Sequence, residues 1–174
     1  MTEPIQLAVP THGYAVIGNY WTPSPAFIDE LGTFLQGKKV LEIFAGNGYL
    51  AGILNARAIN IKATSLRAGH DAHQQGFYYF VEELEATAAV ELYGETNDIF
   101  LVSWPTVTTA VLQAVMAWGS QKDIVYIGEI TDYSKGHLGG CATDAFFEHI
   151  LCCHTFLSYK GNQIESAKVI RLRA

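Results

Sequence analysis

A carboxylate followed by a glycine-rich turn is the strongest chemical feature of the sequence. Glu42 interrupts an apolar run at 40–44, and Gly46 and Gly48 follow it closely. An ionised carboxylate in a buried strand is costly unless it is paired, whereas glycines let the backbone approach a ligand. The combination predicts a ligand site in which a cationic group pairs with Glu42. The alternative is a tight strand–helix connection in which Glu42 is hydrogen-bonded to the backbone.

The same turn also fits a second class of ligand. Residues 46–51, Gly-Asn-Gly-Tyr-Leu-Ala, match the looser dinucleotide pattern G-x-G-x-x-A. A ribose-binding acid is then expected about 20 residues further on, but residues 64–67 read Thr-Ser-Leu-Arg. Ser65 with Arg67 would suit a 2′-phosphate, so a site for NADP stays open as an alternative.

Two later segments end apolar runs with polar or rigid residues. Ser103, Trp104 and Pro105 follow the run at 99–102, and Glu129 follows the run at 124–127. Open α/β sheets bind ligands at the edge where such strands end, and proline stiffens the backbone there. We expect Trp104 to face a flat acceptor and Glu129 to act as a base or to orient that acceptor. The alternatives are a core tryptophan and a hydrogen-bonded strand end.

Cysteine and histidine residues do not predict a metal site. His149 lies three and four positions before Cys152 and Cys153, but a separated second pair of ligands is missing. Cys141 has no recognisable local base that would activate it as a nucleophile. We therefore expect structural, reduced thiols and no metal.

Apolar strands alternate with amphipathic helices along the chain, a pattern typical of a parallel sheet with crossover helices. This predicts an α/β, Rossmann-like three-layer sandwich with a mostly parallel sheet of about seven strands. The 174 residues suit one domain, with an N-terminal arm and helix at 1–37 and the core at 38–174. The predicted strands are 40–44, 59–63, 77–84, 99–102, 124–127, 155–159 and 168–172, and the predicted helices are 25–35, a helix including 50–54, 87–93, 108–118 and 144–151.

Charge and hydropathy exclude some partners. The chain has 11 Lys and Arg against 17 Asp and Glu, a formal charge of −6, so general nucleic-acid binding is not expected. No stretch has the roughly 18 uncharged apolar residues of a membrane span, and no basic-then-apolar signal begins the chain. We expect a cytoplasmic protein whose acceptor is a small molecule or another protein.

Several of these motifs together resemble class I S-adenosylmethionine-dependent methyltransferases. Residues 42–49 look like the first motif of that superfamily, although Phe44 stands where many members have glycine. Glu85-Ala86 is similar to their adenine-side acid, and residues 103–105 occupy the place of a short (Asp/Asn/Ser)-Pro-Pro-aromatic motif. Most of the chain is similar to an uncharacterised methyltransferase-like family through its Pro-Ser-Pro arm, its Ser-Trp-Pro motif, Tyr-Ile-Gly-Glu at 126–129 and Gly-Gly-Cys-Ala-Thr-Asp at 139–144.

This resemblance implies methyl transfer from S-adenosylmethionine to a small-molecule or protein acceptor. A non-catalytic domain that binds the cofactor or a partner protein, and an NADP-dependent reductase, remain the alternatives. The aromatic residues of the arm can fold over the cofactor and close the site, and plain core packing is the alternative for them. The implied cofactor-binding residues are Tyr14, Trp21, Glu42, Phe44, Ala45, Gly46, Asn47, Gly48, Tyr49, Thr64, Ser65, Leu66, Glu85, Ala86 and Ser103, and the implied catalytic residues are Ser103, Trp104, Pro105 and Glu129.

Overall fold

Helices and strands alternate through most of the chain. The structure is a computed structural model that describes Gln6, Ala8, residues 21–66 and residues 76–174. Its elements are α1 (Pro25–Leu35), β1 (Lys39–Ile43), α2 (Tyr49–Asn55), β2 (Asn60–Ser65), β3 (Val81–Glu83), α3 (Ala86–Tyr93), β4 (Ile99–Ser103), α4 (Ala110–Trp118), β5 (Ile124–Glu129), α5 (Asp144–Glu148), β6 (Ile150–Thr155) and β7 (Glu165–Leu172).

The strands form one seven-stranded sheet, which confirms the predicted Rossmann-like α/β class. The strand order is β3-β2-β1-β4-β5-β7-β6. Strands β1 to β5 pair in parallel, whereas β7 is antiparallel to both of its neighbours. The order reverses between β1 and β4, and in open α/β sheets the crevice beyond such a reversal is where ligands bind. The turn after β1 and the Ser-Trp-Pro segment after β4 both begin there.

Helices cover the sheet on both faces, so it has two separate apolar cores. Phe27 and Leu31 of α1 pack with Leu54 of α2 on one face, and Val115 and Trp118 of α4 belong to the core on the other. Burial of β1 and β4 on both faces explains their nearly continuous apolar sequences. None of the helices in the described parts of the chain is long and apolar enough to cross a membrane.

The third strand is much shorter than predicted. Only Val81–Glu83 pairs with β2, and Phe77 forms an isolated bridge with Gln6. Tyr78 donates its backbone N–H to the carbonyl of Asn47, and the Tyr79 hydroxyl donates to the carbonyl of Ile61. The aromatic run therefore packs beside the glycine turn instead of extending the sheet, so a prediction from β propensity alone was wrong here.

The last helix and the sixth strand also differ from the prediction. Helix α5 ends at Glu148, and its N-cap is Thr143, whose hydroxyl accepts from the N–H of Phe146. The predicted strand at 155–159 is wrong, because β6 lies earlier, at Ile150–Thr155. Pairing with β7 holds this segment extended, with an irregularity in register between Cys152 and His154. His149, Cys152 and Cys153 therefore do not lie together on a helix.

A pair of leucine substitutions tests this correction. Leu151 on β6 is 43% exposed, whereas Leu101 in β4 is fully buried. We expect Leu101→Ala to lower the free energy of unfolding by about 2–5 kcal/mol, as for other buried leucines, and Leu151→Ala by less than about 1 kcal/mol. Urea unfolding measures both values. Similar large losses for the two variants would show that Leu151 is a core residue, as a longer α5 would require.

Candidate ligand site

Residues 44–48 connect β1 to α2 through a turn that β2 braces. The N–H of Ala45 donates to the carbonyl of Thr64 at 3.1 Å, and the N–H of Gly46 donates to Ser65 Oγ at 3.3 Å. Thr64 also donates its hydroxyl to the carbonyl of Glu42 at 3.1 Å. Two of the residues predicted to flank a ribose, Thr64 and Ser65, therefore hold the shape of the turn.

The two glycines of the turn are required for different reasons. Both have left-handed backbone conformations, with φ of 58° at Gly46 and 77° at Gly48. A Cβ on Gly48 would lie 2.9 Å from Val81 Cγ2 and 3.0 Å from the carbonyl oxygen of Tyr79, so close packing excludes a side chain. A Cβ on Gly46 would meet no described residue within 4 Å. Among the described residues Gly46 therefore has open space beside it, where a ligand can approach the backbone.

Two bulky residues adopt strained backbone conformations at adjacent strand ends. Phe44 follows β1 with φ of 54°, and Trp104 follows β4 with φ of 50°. Positive φ is a genuine outlier for a large side chain, and such outliers cluster at ligand sites because the surrounding structure must enforce them. The chain therefore holds a conformation that favours glycine at Phe44, a bulky residue.

Glu42 lies in the strand directly before this turn, and its carboxyl group is buried. The residue is 1% exposed, and its Oε2 atom has no hydrogen-bond partner within the described part of the chain. Burial raises the pKa of Glu42 to about 8. A buried carboxylate is stable in its charged form only when it is paired. The site can therefore accept a cation, and without one Glu42 is neutral over most of the physiological pH range.

The predicted residues that follow the turn are largely structural in their contacts. Asn47 is buried and accepts from the N–H of Tyr78. The Tyr49 ring packs edge-on against Tyr78 with centroids 5.2 Å apart, and Leu66 is 49% exposed at the end of β2. The structure describes neither Tyr14 nor Arg67, so the predictions for these residues fall outside the described residues.

Two carboxylates near β3 depart from the prediction. Glu85 has a different role from the one expected, and Glu83 was not predicted as a site residue. Glu85 Oε2 accepts from the N–H groups of Thr87 and Ala88, at 2.9 and 3.1 Å, and so caps α3, whose first residue, Ala86, is buried. Glu83 ends β3 and is the register partner of Ser65. The acid expected at the end of β2 is missing from that strand, but Glu83 lies beside this position on the neighbouring strand β3. Only the register of β2 and β3 reveals this.

The predicted acceptor residues meet at the ends of β4 and β5. The backbone N–H of Trp104 donates to the carbonyl of Ile127 at 2.7 Å, and the backbone N–H of Ala142 donates to the carbonyl of Pro105 at 3.3 Å. Trp104 is only partly buried, so it is not simply a core residue, and its indole N–H has no acceptor among the described residues. Glu129 Oε2 accepts from the N–H of Gly140 at 2.5 Å. Ser103 is the last residue of β4.

The cysteines contribute no further chemistry at this edge. Cys141 is buried, and burial raises the pKa of its thiol, which makes it less reactive. Cys152 and Cys153 are exposed on β6. Across the described ranges, no group of three or more His, Cys, Asp or Glu residues could hold a metal ion.

Comparison with solved structures shows the same fold in several methyltransferases, whereas no family profile and no curated protein matches the chain. A variant of MtNAS, solved with S-adenosylmethionine, superposes with a TM-score of 0.57 and 12% identity, over 86% of this chain and 63% of that one. Human N-acetylserotonin methyltransferase with the same ligand gives 0.53 and 11%, over 84% and 52%. Sp1610 from Streptococcus pneumoniae, also solved with S-adenosylmethionine, gives 0.53 and 10%, over 83% and 71%. The chain thus spans less than two thirds of MtNAS, and at these identities the likeness establishes the fold.

The pH dependence of stability tests the state of Glu42. The folded protein keeps Glu42 protonated up to about pH 8, whereas the unfolded chain loses that proton near pH 4.5. Between these values the folded state binds more protons, so this residue lowers the free energy of unfolding by about 1.4 kcal/mol per unit of rising pH. Glu42→Gln removes the titration, and its stability should fall less steeply from pH 5 to 8.

Urea unfolding of both proteins at several pH values measures this difference. Glu91→Gln, a matched change on the exposed side of α3, should follow the wild-type curve. Parallel curves for wild type and Glu42→Gln would show that Glu42 has an ordinary pKa and a compensated charge.

Proposed function

We propose that this chain binds S-adenosylmethionine at the turn after β1 and transfers its methyl group to a small-molecule or protein acceptor. The observation that supports this most strongly is the buried carboxylate of Glu42, whose Oε2 has no partner among the described residues. The methionine end of S-adenosylmethionine has an ammonium group that would complete this pair. Gly46, beside open space, would let the backbone approach the same end of the ligand.

The topology of the sheet supports this ligand over a dinucleotide. The common dinucleotide-binding sheet has the order 3-2-1-4-5-6, whereas here antiparallel β7 lies between β5 and β6. Solved structures that share this chain's fold were determined with S-adenosylmethionine bound. A nicotinamide cofactor also has no ammonium group that would pair with Glu42, so an NADP-dependent reductase leaves that carboxylate unexplained.

The nucleoside end would lie along β2 and β3. Glu83, the register partner of Ser65, is our candidate for the ribose hydroxyls in place of the missing acid after β2. Glu85 and Ala86 would border the adenine, with the Glu85 carboxylate fixed by its hydrogen bonds to the first turn of α3. Trp21 would close the site from the N-terminal side.

The protein's contribution to the reaction would be positioning and the exclusion of water. When bound, S-adenosylmethionine supplies a methyl group already activated by its sulfonium, so proximity and orientation can provide most of the acceleration. Ser103, Trp104 and Pro105 would face the acceptor, and Glu129 would orient it or accept its proton. If this chain is a non-catalytic domain, Glu42 would pair with the same cofactor, and the cofactor would bind without turnover.

Two ligands that differ only at the amino-acid end test the proposal. S-Adenosylhomocysteine has the ammonium group, and 5′-methylthioadenosine has neither that group nor the carboxylate. We expect wild type to prefer S-adenosylhomocysteine, and Glu42→Gln to lose about 1.5–3 kcal/mol of that preference, the range of a charged hydrogen bond. Calorimetry measures the four affinities, and NADPH should not bind.

The matched control is again Glu91→Gln, which should bind both ligands as wild type does. Binding of 5′-methylthioadenosine reports whether the Glu42 variant still has a folded nucleoside site. An unchanged preference in Glu42→Gln, or binding of NADPH alone, would contradict the proposed pairing.

A further inference from the structure

Three partly buried aromatic rings are joined by ring contacts beside the carboxyl ends of β4 and β5. We call Trp21, Trp104 and Tyr159 the aromatic wall. The ring centroids of Trp21 and Trp104 are 6.4 Å apart, and those of Trp21 and Tyr159 are 5.9 Å apart. The rings come from the segment before α1, the end of β4 and the β6–β7 connection. Their convergence from three distant parts of the chain builds one surface.

Two carboxylates stand next to this wall on neighbouring strands. Glu129 of β5 and Glu165 of β7 are register partners, so they lie opposite each other. Glu165 Oε2 accepts from the Tyr159 hydroxyl at 3.1 Å. Burial, followed by the negative charge of Glu165 and a smaller effect of Glu129, raises the pKa of Tyr159. Both carboxylates therefore act on a ring of the wall.

No ion pair within the described part of the chain neutralises the negative charge of Glu129 and Glu165. The four ion pairs within the described ranges include neither Glu129 nor Glu165, and like charges opposite each other destabilise a strand pair. Their hydrogen bonds come from neutral donors: Gly140 for Glu129, and Tyr159 and Asn162 for Glu165. A cation bound between these groups would remove the repulsion.

Lysine side chains lie over several other rings of the protein. Lys122 Nζ lies 3.7 Å from the ring centroid of Trp118, and lysines also lie over Phe34 and Tyr93. In the described parts of the chain, no lysine or arginine lies over Trp104 or Tyr159. Aromatic faces attract ammonium groups, most strongly tryptophan. Trp104 and Tyr159 are thus the same kinds of ring as those that have a lysine over them, but no lysine or arginine of the described residues lies over either.

We propose that the aromatic wall, Glu129 and Glu165 bind an organic ammonium group. Given the methyl transfer proposed above, the acceptor is then a molecule that is held by a protonated or quaternary amine and takes the methyl group at a different, nucleophilic atom, because an ammonium nitrogen has no lone pair. An anionic acceptor would be repelled by the two carboxylates, and an uncharged one would leave them with hydrogen bonds from neutral donors alone among the described residues. The wall includes Trp104, the ring of the Ser-Trp-Pro segment, so the ammonium site adjoins the place where we expect the acceptor.

Choline and its uncharged isostere, 3,3-dimethyl-1-butanol, separate charge recognition from apolar contact. The indole N–H resonances of the apoprotein report binding, after assignment with single Trp→Phe variants. At constant total chloride, choline should shift the Trp21 and Trp104 signals saturably. The alcohol should need at least a tenfold higher concentration to produce the same shifts. Trp118, already under Lys122, should not move and is the internal control.

Charge variants complete the test. Glu165→Gln and Glu129→Gln should each weaken choline binding at least fivefold, whereas Glu91→Gln should not change it. If Glu129→Gln fails to fold, Glu165→Gln decides, because Asn162 can still donate to the amide oxygen while the amide NH2 group donates to the Tyr159 hydroxyl oxygen. Equal affinity for choline and the alcohol, an equal shift of Trp118, or no effect of Glu165→Gln would each overturn the proposal.

The result is independent of the proposed cofactor, because choline is added without any nucleoside. Loss of choline binding with normal S-adenosylhomocysteine binding would overturn only the amine site. Choline binding without S-adenosylhomocysteine binding would support the ammonium site and contradict the cofactor.

Discussion

Glu42 lies near the middle of a seven-stranded sheet, and one of its carboxylate oxygens has no hydrogen-bond partner among the described residues. Burial alone raises its pKa to about 8, so the ligand-free protein keeps it as a neutral acid. A fold selected only for stability has no reason to retain such a group, because an apolar residue of similar size would pack there without desolvation. The carboxylate becomes intelligible when a cation binds beside it.

The surrounding structure is organised around that position. The sheet reverses its strand order between β1 and β4, and open α/β sheets bind ligands beyond such a reversal. Thr64 and Ser65 brace the turn from β2, and Val81 and Tyr79 leave no room for a side chain on Gly48. Positive φ at Phe44 and Trp104 on adjacent strand ends shows that packing enforces both conformations. The conformation of the turn is therefore fixed by its neighbours on β2 and β3.

Local sequence patterns predicted the parts of the fold that depend on burial. The bounds of α1 match the prediction at 25–35, and the stripe of Val111, Ala114, Val115 and Trp118 is buried in α4 as expected. Helix α5 and strand β6 were misplaced, because the extended state of residues 150–155 depends on pairing with β7, which is distant in sequence. The aromatic residues at 77–79 favour strands by propensity but pack beside the turn.

The candidate site could be predicted only where its functional residues are close together in the sequence. Glu42 and the glycines could be recognised together, and the structure places them together. Glu83 could not, because its position beside Ser65 depends on the register of β2 and β3. The contact of Trp21 with Trp104 and Tyr159 joins residues separated by most of the chain, and no spacing rule would reveal it.

Direct titration of the Glu42 carboxyl carbon by NMR, with and without S-adenosylhomocysteine, tests the pairing most directly. The free protein should show a pKa of about 8 for this residue. Binding of the ammonium should lower that pKa by more than about one unit, as a nearby opposite charge does, and should release a proton at pH 7. A pKa that is ordinary in the free protein, or equally high with and without the ligand, would contradict the account.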